Sequence, residues 1–551
     1  MRSGGRILVD GLRGHGVDLA FCVPGESYLA VLDALYDVRE QLKLIVCRQE
    51  GGAAFMAEAY GKLTGRPGIC FVTRGPGATN ASIGVHTARQ DSSPMILFIG
   101  QVGGDFVDRE AFQEVDYRRM FGEMTKWVAQ IDRAERIPEY LSHAFHIATS
   151  GRPGPVVLAL PEDMLVSEAD VADVPRYKAV YSYPGLGQLE QLRELLSAAQ
   201  RPFVLLGGSG WTSDACSAIQ AFAEASNLPV GCAFRRQDLF DNTHPNYAGH
   251  VGIGINVKLA QRIKQSDLAI VIGCRLDEMT TSGYSLFDVP RPKQKFVHVH
   301  AGADELGKVY QADLLINSSM PTFAGLLRAM SKIDGGSWKA WTEAARADYL
   351  DDSVPGPCPG PVNMGEIILW LKEKLPANTI LTNGAGNFAQ WIARFYPYRP
   401  WRTQLAPING AMGYGVPSGI AAKLVNPHRI VVTFCGDGDF LMTGQELATA
   451  MQYNVAVVFI VVNNSMYGTI RMHQERDYPA RVYGTALQNP DFAALARAYG
   501  ALGETVESTE EFAPAFERAL AANKPALIEV KLDPEAITTR TTLSAIRNGA
   551  K

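Results

Sequence analysis

The strongest chemical signal in this chain is an acidic residue in a glycine frame, followed at a fixed distance by a pair of amides. Gly436-Asp437-Gly438-Asp439-Phe440 follows the apolar run Ile430 to Phe434, and Asn463-Asn464 ends a second run that begins at Val455. Both runs read as short buried strands, with a helix-compatible stretch from Gln445 to Gln452 between them. Polar groups placed this way sit at the carboxyl ends of parallel strands, where open α/β sheets bind ligands. Asp437 offers a carboxylate and Asn464 an amide oxygen, hard ligands suited to Mg²⁺ or Ca²⁺. Gly436 and Gly438 let backbone N–H groups approach a diphosphate, and a helix start beyond them favours negative charge. Gly-Asp-Gly alone is also a common turn. An amide pair 27 positions after Asp437, between apolar strands, lifts the signal above that.

Glu50 is the second candidate. It follows the strand-like run Leu44 to Cys47 and opens a small-residue helix, Gly51 to Gly61. A carboxylate there also suits a helix N-terminus, so position alone leaves both roles open. The next strand leads into Thr73-Arg74-Gly75-Pro76-Gly77-Ala78-Thr79-Asn80, a glycine-rich turn before a helix.

The elements that must hold these residues fall into three blocks. The first, expected over residues 1–173, has strand-like runs at 44–47, 69–72, 95–99 and 156–161. A Pro/Tyr-rich stretch, 174–187, reads as a linker. The second block, 188–335, has candidates at 202–206, 268–272 and 295–299. The Pro/Gly-rich segment Asp352 to Pro361 is the clearest linker, and the third block, 362–551, carries the metal-ligand candidates. Strands alternating with helices predict three doubly wound, parallel-sheet α/β domains. No short-period repeat or low-complexity tract is visible.

Composition narrows the class. The chain has 551 residues, 47 % hydrophobic and 20 % charged, with a net charge of −5. That suits a multi-domain globular protein and gives no electrostatic footprint for nucleic acid or an anionic membrane. No apolar stretch has the length of a membrane span, and the N-terminus lacks a secretory h-region, so a cytoplasmic protein is expected. The eight cysteines are scattered without a Cys-x-x-Cys, which predicts reduced core thiols rather than disulfides or a zinc site.

Taken together, the Asp437/Asn464 pattern, Arg48-Gln49-Glu50-Gly51-Gly52-Ala53-Ala54, Thr73 to Gly77, Val23-Pro24-Gly25, Ser150 to Pro155 and Asn409 to Pro417 resemble the thiamine-diphosphate enzymes, in their acetolactate synthase-like branch. The resemblance spans essentially the whole chain. It implies thiamine diphosphate and Mg²⁺ as cofactors, with Asp437, Asn464 and the Met466 carbonyl as metal ligands. Gly25, Gly438, Asp439, Tyr467 and Gly468 would lie around the cofactor, and Met412 would wedge beneath it; gap filling in the core is the ordinary alternative for a methionine. Glu50 would hydrogen-bond the aminopyrimidine and promote loss of the thiazolium C2 proton. In this family the glutamate serves a cofactor held by another subunit, which implies a homodimer or homotetramer.

The same resemblance bears on the substrate. Phe112 and Gln113, in Ala111 to Asp116, match the segment that faces the reacting carbon in acetolactate synthases, and Lys126 matches a residue near the substrate channel. The pyruvate decarboxylase branch has a histidine pair near Phe112-Gln113, absent here, which favours ligation over simple decarboxylation. A 2-oxo acid or acyloin is therefore the expected small-molecule substrate. A decarboxylase, a C–C bond hydrolase or a 2-hydroxyacyl-CoA lyase is the runner-up.

There are departures. Gly386-Asn387-Phe388 stands where Gly-Gln-His is usual. His473 stands at the position of the specificity tryptophan and reads either as a pocket acid/base or as an exposed histidine. Ser27 occupies the position of the benzaldehyde lyase pocket histidine. For the second block, Gly207 to Gly210 and Gly273 to Asp277 look family-like, but His300-Ala301-Gly302-Ala303 replaces the usual acidic residues, so FAD, ADP or no ligand all remain open there.

Overall fold

Apolar runs without polar alternation bury both faces of a strand, which parallel sheets covered by helices require. The computed structural model describes residues 1–330, 333–399 and 401–549. Its strands at Met95–Gln101, Pro155–Pro161 and Val458–Asn463 are buried along their whole length. They belong to two of three six-stranded sheets, each parallel throughout.

In the first sheet the spatial order is Lys43–Val46, Leu19–Cys22, Gly68–Val72, Met95–Gln101, Pro155–Pro161, Trp127–Gln130. Numbered along the chain, that is 2-1-3-4-6-5. The third sheet runs Gln404–Leu405, Ile380–Asn383, Val431–Gly436, Val458–Asn463, Ala526–Lys531, Leu502–Val506, again 2-1-3-4-6-5. The outer two domains therefore share one topology that no sequence repeat discloses. The middle sheet runs Tyr247–Val251, Val230–Ala233, Pro202–Leu206, Leu268–Ile272, Lys295–His300, Leu314–Asn317, or 3-2-1-4-5-6, the order of dinucleotide-binding sheets. Helix Lys339–Asp352, with Trp338 just before it, also packs on this middle layer through Trp338 and Ala345.

The outer domains of one chain share a core. Helix Glu50–Thr64 is built from small residues, and helix Gly75–Asp91 approaches it so closely that a side chain at Gly84 would meet the Ala54 methyl at 2.4 Å. Helix Gly415–Val425 of the third domain closes the same cluster through Val416, Ile420 and Ala421. Phe55 and Tyr414 meet edge to face at 5.5 Å, and the Tyr414 hydroxyl donates to the buried Glu58 at 2.5 Å. The cysteines are all free. No helix among the described residues is long and apolar enough to cross a membrane.

Candidate active site

Both outer sheets reverse strand order between their first and third strands, and ligand crevices form at such switch points. In the third domain these strands end at Asn383 and Gly436, and Asp437 follows at once as the first residue of a short helix, Asp437–Phe440. A cavity of about 570 Å³ opens there, lined by Asp437, Gly438, Asp439, Asn464, Met466, Tyr467, Gly468 and Met412. Eight of the sequence-predicted residues thus meet on one wall. The middle domain contributes Phe234, Arg235 and His250, and the first domain contributes His86 and Gln90.

Asp437 is only 3 % exposed, and burial pushes its carboxyl pKa up. The Gly438 N–H at 2.9 Å and the Asn489 side-chain amide at 2.8 Å act against that by donating to it. Asn489 also donates to the Asn463 side chain at 2.9 Å, and its own carbonyl oxygen is buried without a partner. This residue escaped the sequence reading because nothing in its local pattern marks it. Gly438 is required by Tyr467, whose ring would lie 2.5 Å from a Cβ there.

Asp439 turns toward the flanking loops: its Oδ1 accepts the Gly413 N–H at 2.7 Å and the Ala385 N–H at 3.2 Å. Its Oδ2 is buried without a partner, and burial raises its pKa to about 7. Gly410, at φ +70°, faces open space where a side chain would stand. His473 lies on helix Gly468–Asp477; Thr469 and Ile470 of that helix reach the cavity wall, and His473 does not.

The other predicted residues gather on the first domain. Glu50 is the first residue of helix Glu50–Thr64, which Gln49 caps; it is half-buried and accepts the Asn80 amide at 2.9 Å. Its turn is held by Glu446 of the third domain, which accepts the N–H groups of Arg48 at 3.0 Å and Gln49 at 2.9 Å. Glu446 is a second residue the sequence reading missed. Gly75 N–H donates to the Gln113 carbonyl at 3.0 Å, so the Phe112-Gln113 loop docks on the glycine turn near Glu50. Gln113 stands at φ +66° with its side-chain oxygen buried and unpartnered, while the Phe112 ring is 73 % exposed. Gly25 sits against Thr73 at 2.4 Å from a Cβ position. None of Glu50, Gly25, Phe112 and Gln113 lines the cavity. Lys126 donates to the Ser150 carbonyl at 2.6 Å, and burial lowers its pKa to about 8; it too lies off the cavity wall.

The two groups have complementary chemistry. Asp437 and Asn464 offer oxygen ligands for a hard cation, and no cluster of three His, Cys, Asp or Glu residues suited to a metal occurs among the described residues. The orphaned Asp439 and Asn489 oxygens, the glycine turns and the cavity fit a bound diphosphate-and-cation cofactor. At the middle domain, Gly208 (φ +69°) would bring a Cβ to 1.8 Å from the Gly273 carbonyl oxygen, Trp211 donates to the Gly207 carbonyl at 2.8 Å, and Met320 covers Gly273. Arg152 is paired with Glu305 at 2.7 Å. These glycines answer a packing need, and nothing at them requires a dinucleotide.

A three-domain α/β architecture, with matching outer domains that carry an oxygen-ligand cavity and a helix-start carboxylate, is the one found in thiamine-diphosphate-dependent enzymes. Comparison with known proteins makes the assignment specific. The family profiles "Thiamine pyrophosphate enzyme, N-terminal TPP binding domain", "central domain" and "C-terminal TPP binding domain" match residues 2–120, 189–327 and 384–530. The probable acetolactate synthase large subunit of Methanocaldococcus jannaschii is 32 % identical over 97 % of this chain and 92 % of its own length. The acetolactate synthase large subunit of Corynebacterium glutamicum is 32 % identical over 97 % and 87 %. The isozyme 2 large subunit of Escherichia coli is 30 % identical over 96 % of each. The chain belongs to the thiamine pyrophosphate enzyme family, in its acetolactate synthase-like branch, and is a carbon–carbon bond-forming enzyme of that type.

Proposed function

We propose that the cavity holds thiamine diphosphate through Mg²⁺, with Asp437, Asn464 and the Met466 carbonyl as metal ligands and the Gly436–Gly438 turn at the diphosphate. Asp439, Tyr467 and Gly468 would flank it, and Met412 on the wall would pack against it. The observation that carries this reading is the division of the site: Asp437 and Asn464 line the cavity, while Glu50, with the Phe112-Gln113 loop beside it, does not. A second copy of the chain therefore supplies Glu50, Gly25, Phe112 and Gln113. A homodimer is the smallest competent unit, and a homotetramer is a pair of them.

When bound, thiamine diphosphate supplies the electron sink for breaking and making bonds at a carbonyl carbon. The substrate is a 2-oxo acid or the related acyloin. The 2-oxo acid loses its carboxyl group as carbon dioxide, and its acyl carbon bonds to a second carbonyl carbon. Glu50 holds and moves the proton at the pyrimidine ring. The Gln113 amide and the Phe112 ring orient the reacting groups without an acid, which favours ligation over release of aldehyde. His473, off the wall, would reach the reacting groups only after its helix moves.

Chelation followed by gel filtration should abolish activity, and thiamine diphosphate with Mg²⁺ should restore it. With pyruvate, mass spectrometry should find more acetolactate or acetoin than acetaldehyde. Full activity in cofactor-free protein would sink the assignment; mainly free aldehyde at high acceptor concentration would favour a decarboxylase.

A further inference from the structure

The cavity wall carries four carboxylates, Asp277, Glu278, Asp437 and Asp439, but one guanidinium, Arg235; among the described residues no lysine and no second arginine lines it. Arg235 follows strand Val230–Ala233 at φ +58°, a left-handed conformation that a long side chain adopts only when its surroundings enforce it. Two contacts hold its head: Nη1 donates to the Pro407 carbonyl, in the segment leading to Met412, and the guanidinium stands 4.9 Å from the Phe234 ring centroid. Arg74 and Arg152 each have a carboxylate at 2.9 Å or less, but no ion pair within 4.0 Å holds Arg235 among the described residues. Burial lowers its pKa to about 10, which leaves it a cation at neutral pH; Asp91 and Asp439 oppose the shift from beyond ion-pair range. Arg235 is half-buried on the cavity wall, where a cation without a close counter-charge is free to take an anionic ligand, and a planar guanidinium matches a carboxylate.

We propose that Arg235 is the specificity residue for the acceptor, pairing with the carboxylate of an incoming 2-oxo acid. This rests on the reading above that a 2-oxo acid enters this cavity. The acceptor is favoured over the donor on charge grounds. Pairing with a guanidinium stabilises a carboxylate, which opposes its departure as carbon dioxide, whereas the acceptor keeps its carboxylate in the product.

The test uses enzyme loaded with thiamine diphosphate and Mg²⁺, pyruvate as donor, and 2-oxobutyrate competing with propanal as acceptor. Arg235→Met should lower the ratio of 2-oxo acid product to aldehyde product by about 10–100-fold, the range for hydrogen bonds to charged groups. Arg235→Lys, which keeps charge without the fork, should fall between. Calorimetric titration with oxamate, an unreactive carboxylate, should show the same loss, while neutral ethyl oxamate binds both proteins alike. Cofactor binding and H/D exchange at the cofactor's C2 should not change. An unchanged product ratio and oxamate affinity in Arg235→Met would overturn the proposal. So would an equal loss for both acceptors with a lower melting temperature, which marks a structural role. If the wild type uses no 2-oxo acid, the proposal falls; normal C2 exchange then shows that the cofactor assignment survives it.

Discussion

Asp439 illustrates what a single buried carboxyl does to this protein. Burial lifts its pKa from an ordinary 3.8 to about 7, with the Gly413 and Ala385 N–H groups and Arg235 acting against the shift. A carboxyl raised in the folded chain is still protonated when the unfolded chain has ionised. Stability of the cofactor-free protein therefore falls as pH rises from about 4 to about 7 and is level beyond. Asp439→Asn keeps the acceptor oxygen for both N–H groups and removes the titration. Its stability relative to wild type should climb between pH 4 and pH 8, by no more than a few kcal/mol at about 1.36 kcal/mol per pKa unit, read as a rising melting temperature relative to wild type. A pH-independent difference would show that Asp439 does not titrate in this range. The sequence marked Asp439 as a neighbour of the candidate metal ligand Asp437. Its bonds to Ala385 and Gly413, far apart in the chain, depend on three loops converging.

At the scale of elements, the turn before helix Glu50–Thr64 is the sensitive joint. Glu446 receives the Arg48 and Gln49 N–H groups and the Thr449 hydroxyl at 2.6 Å, and Gly52 is small because a Cβ would stand 2.5 Å from this carboxylate. The clamp ties the carrier of Glu50 to the third domain of its own chain. Glu446→Ala would leave those donors unmatched, at about 1–3 kcal/mol for each that stays buried. The expected outcome is a lower melting temperature together with slower C2 exchange in the reconstituted enzyme. A lower melting temperature with unaltered exchange would make the clamp purely structural. The long apolar strands were legible in the sequence, as at Met95–Gln101 and Val458–Asn463. Leu19–Cys22 has four residues and Gln404–Leu405 two, and Leu502–Val506 is largely half-buried. Such strands carry too little periodic signal to be read singly; pairing with a neighbour defines them.

For the whole molecule, the division of the site makes a prediction that no single-chain enzyme would satisfy. A Glu50→Gln chain keeps the metal end, and an Asp437→Asn chain keeps the carboxylate. Each alone should be nearly inactive, since loss of an acid–base group commonly costs about 10²–10⁴-fold. Dissociated, mixed and reassociated, the two should regain up to about a quarter of wild-type activity, because half the dimers are mixed and each holds one intact site. No recovery after verified subunit exchange would place both halves of the site within one chain.

The sequence alone determined the chemistry and the class of fold. Ligand type, glycine frame and spacing are local properties, and Asp437, Asn464 and the apolar strands beside them could be read residue by residue. Tertiary structure decided the rest, because it depends on contacts between distant segments. The shared 2-1-3-4-6-5 order of the outer sheets arises from strand pairings between segments far apart in the chain. Asn489 reaches Asp437 across 52 positions and Glu446 reaches Arg48 across 398. Arg235 becomes the lone guanidinium of the cavity, among the described residues, only when the middle domain is folded against the third. The separation of Glu50 from the wall that carries Asp437 likewise follows from how helices of the outer domains pack together, which no local pattern encodes.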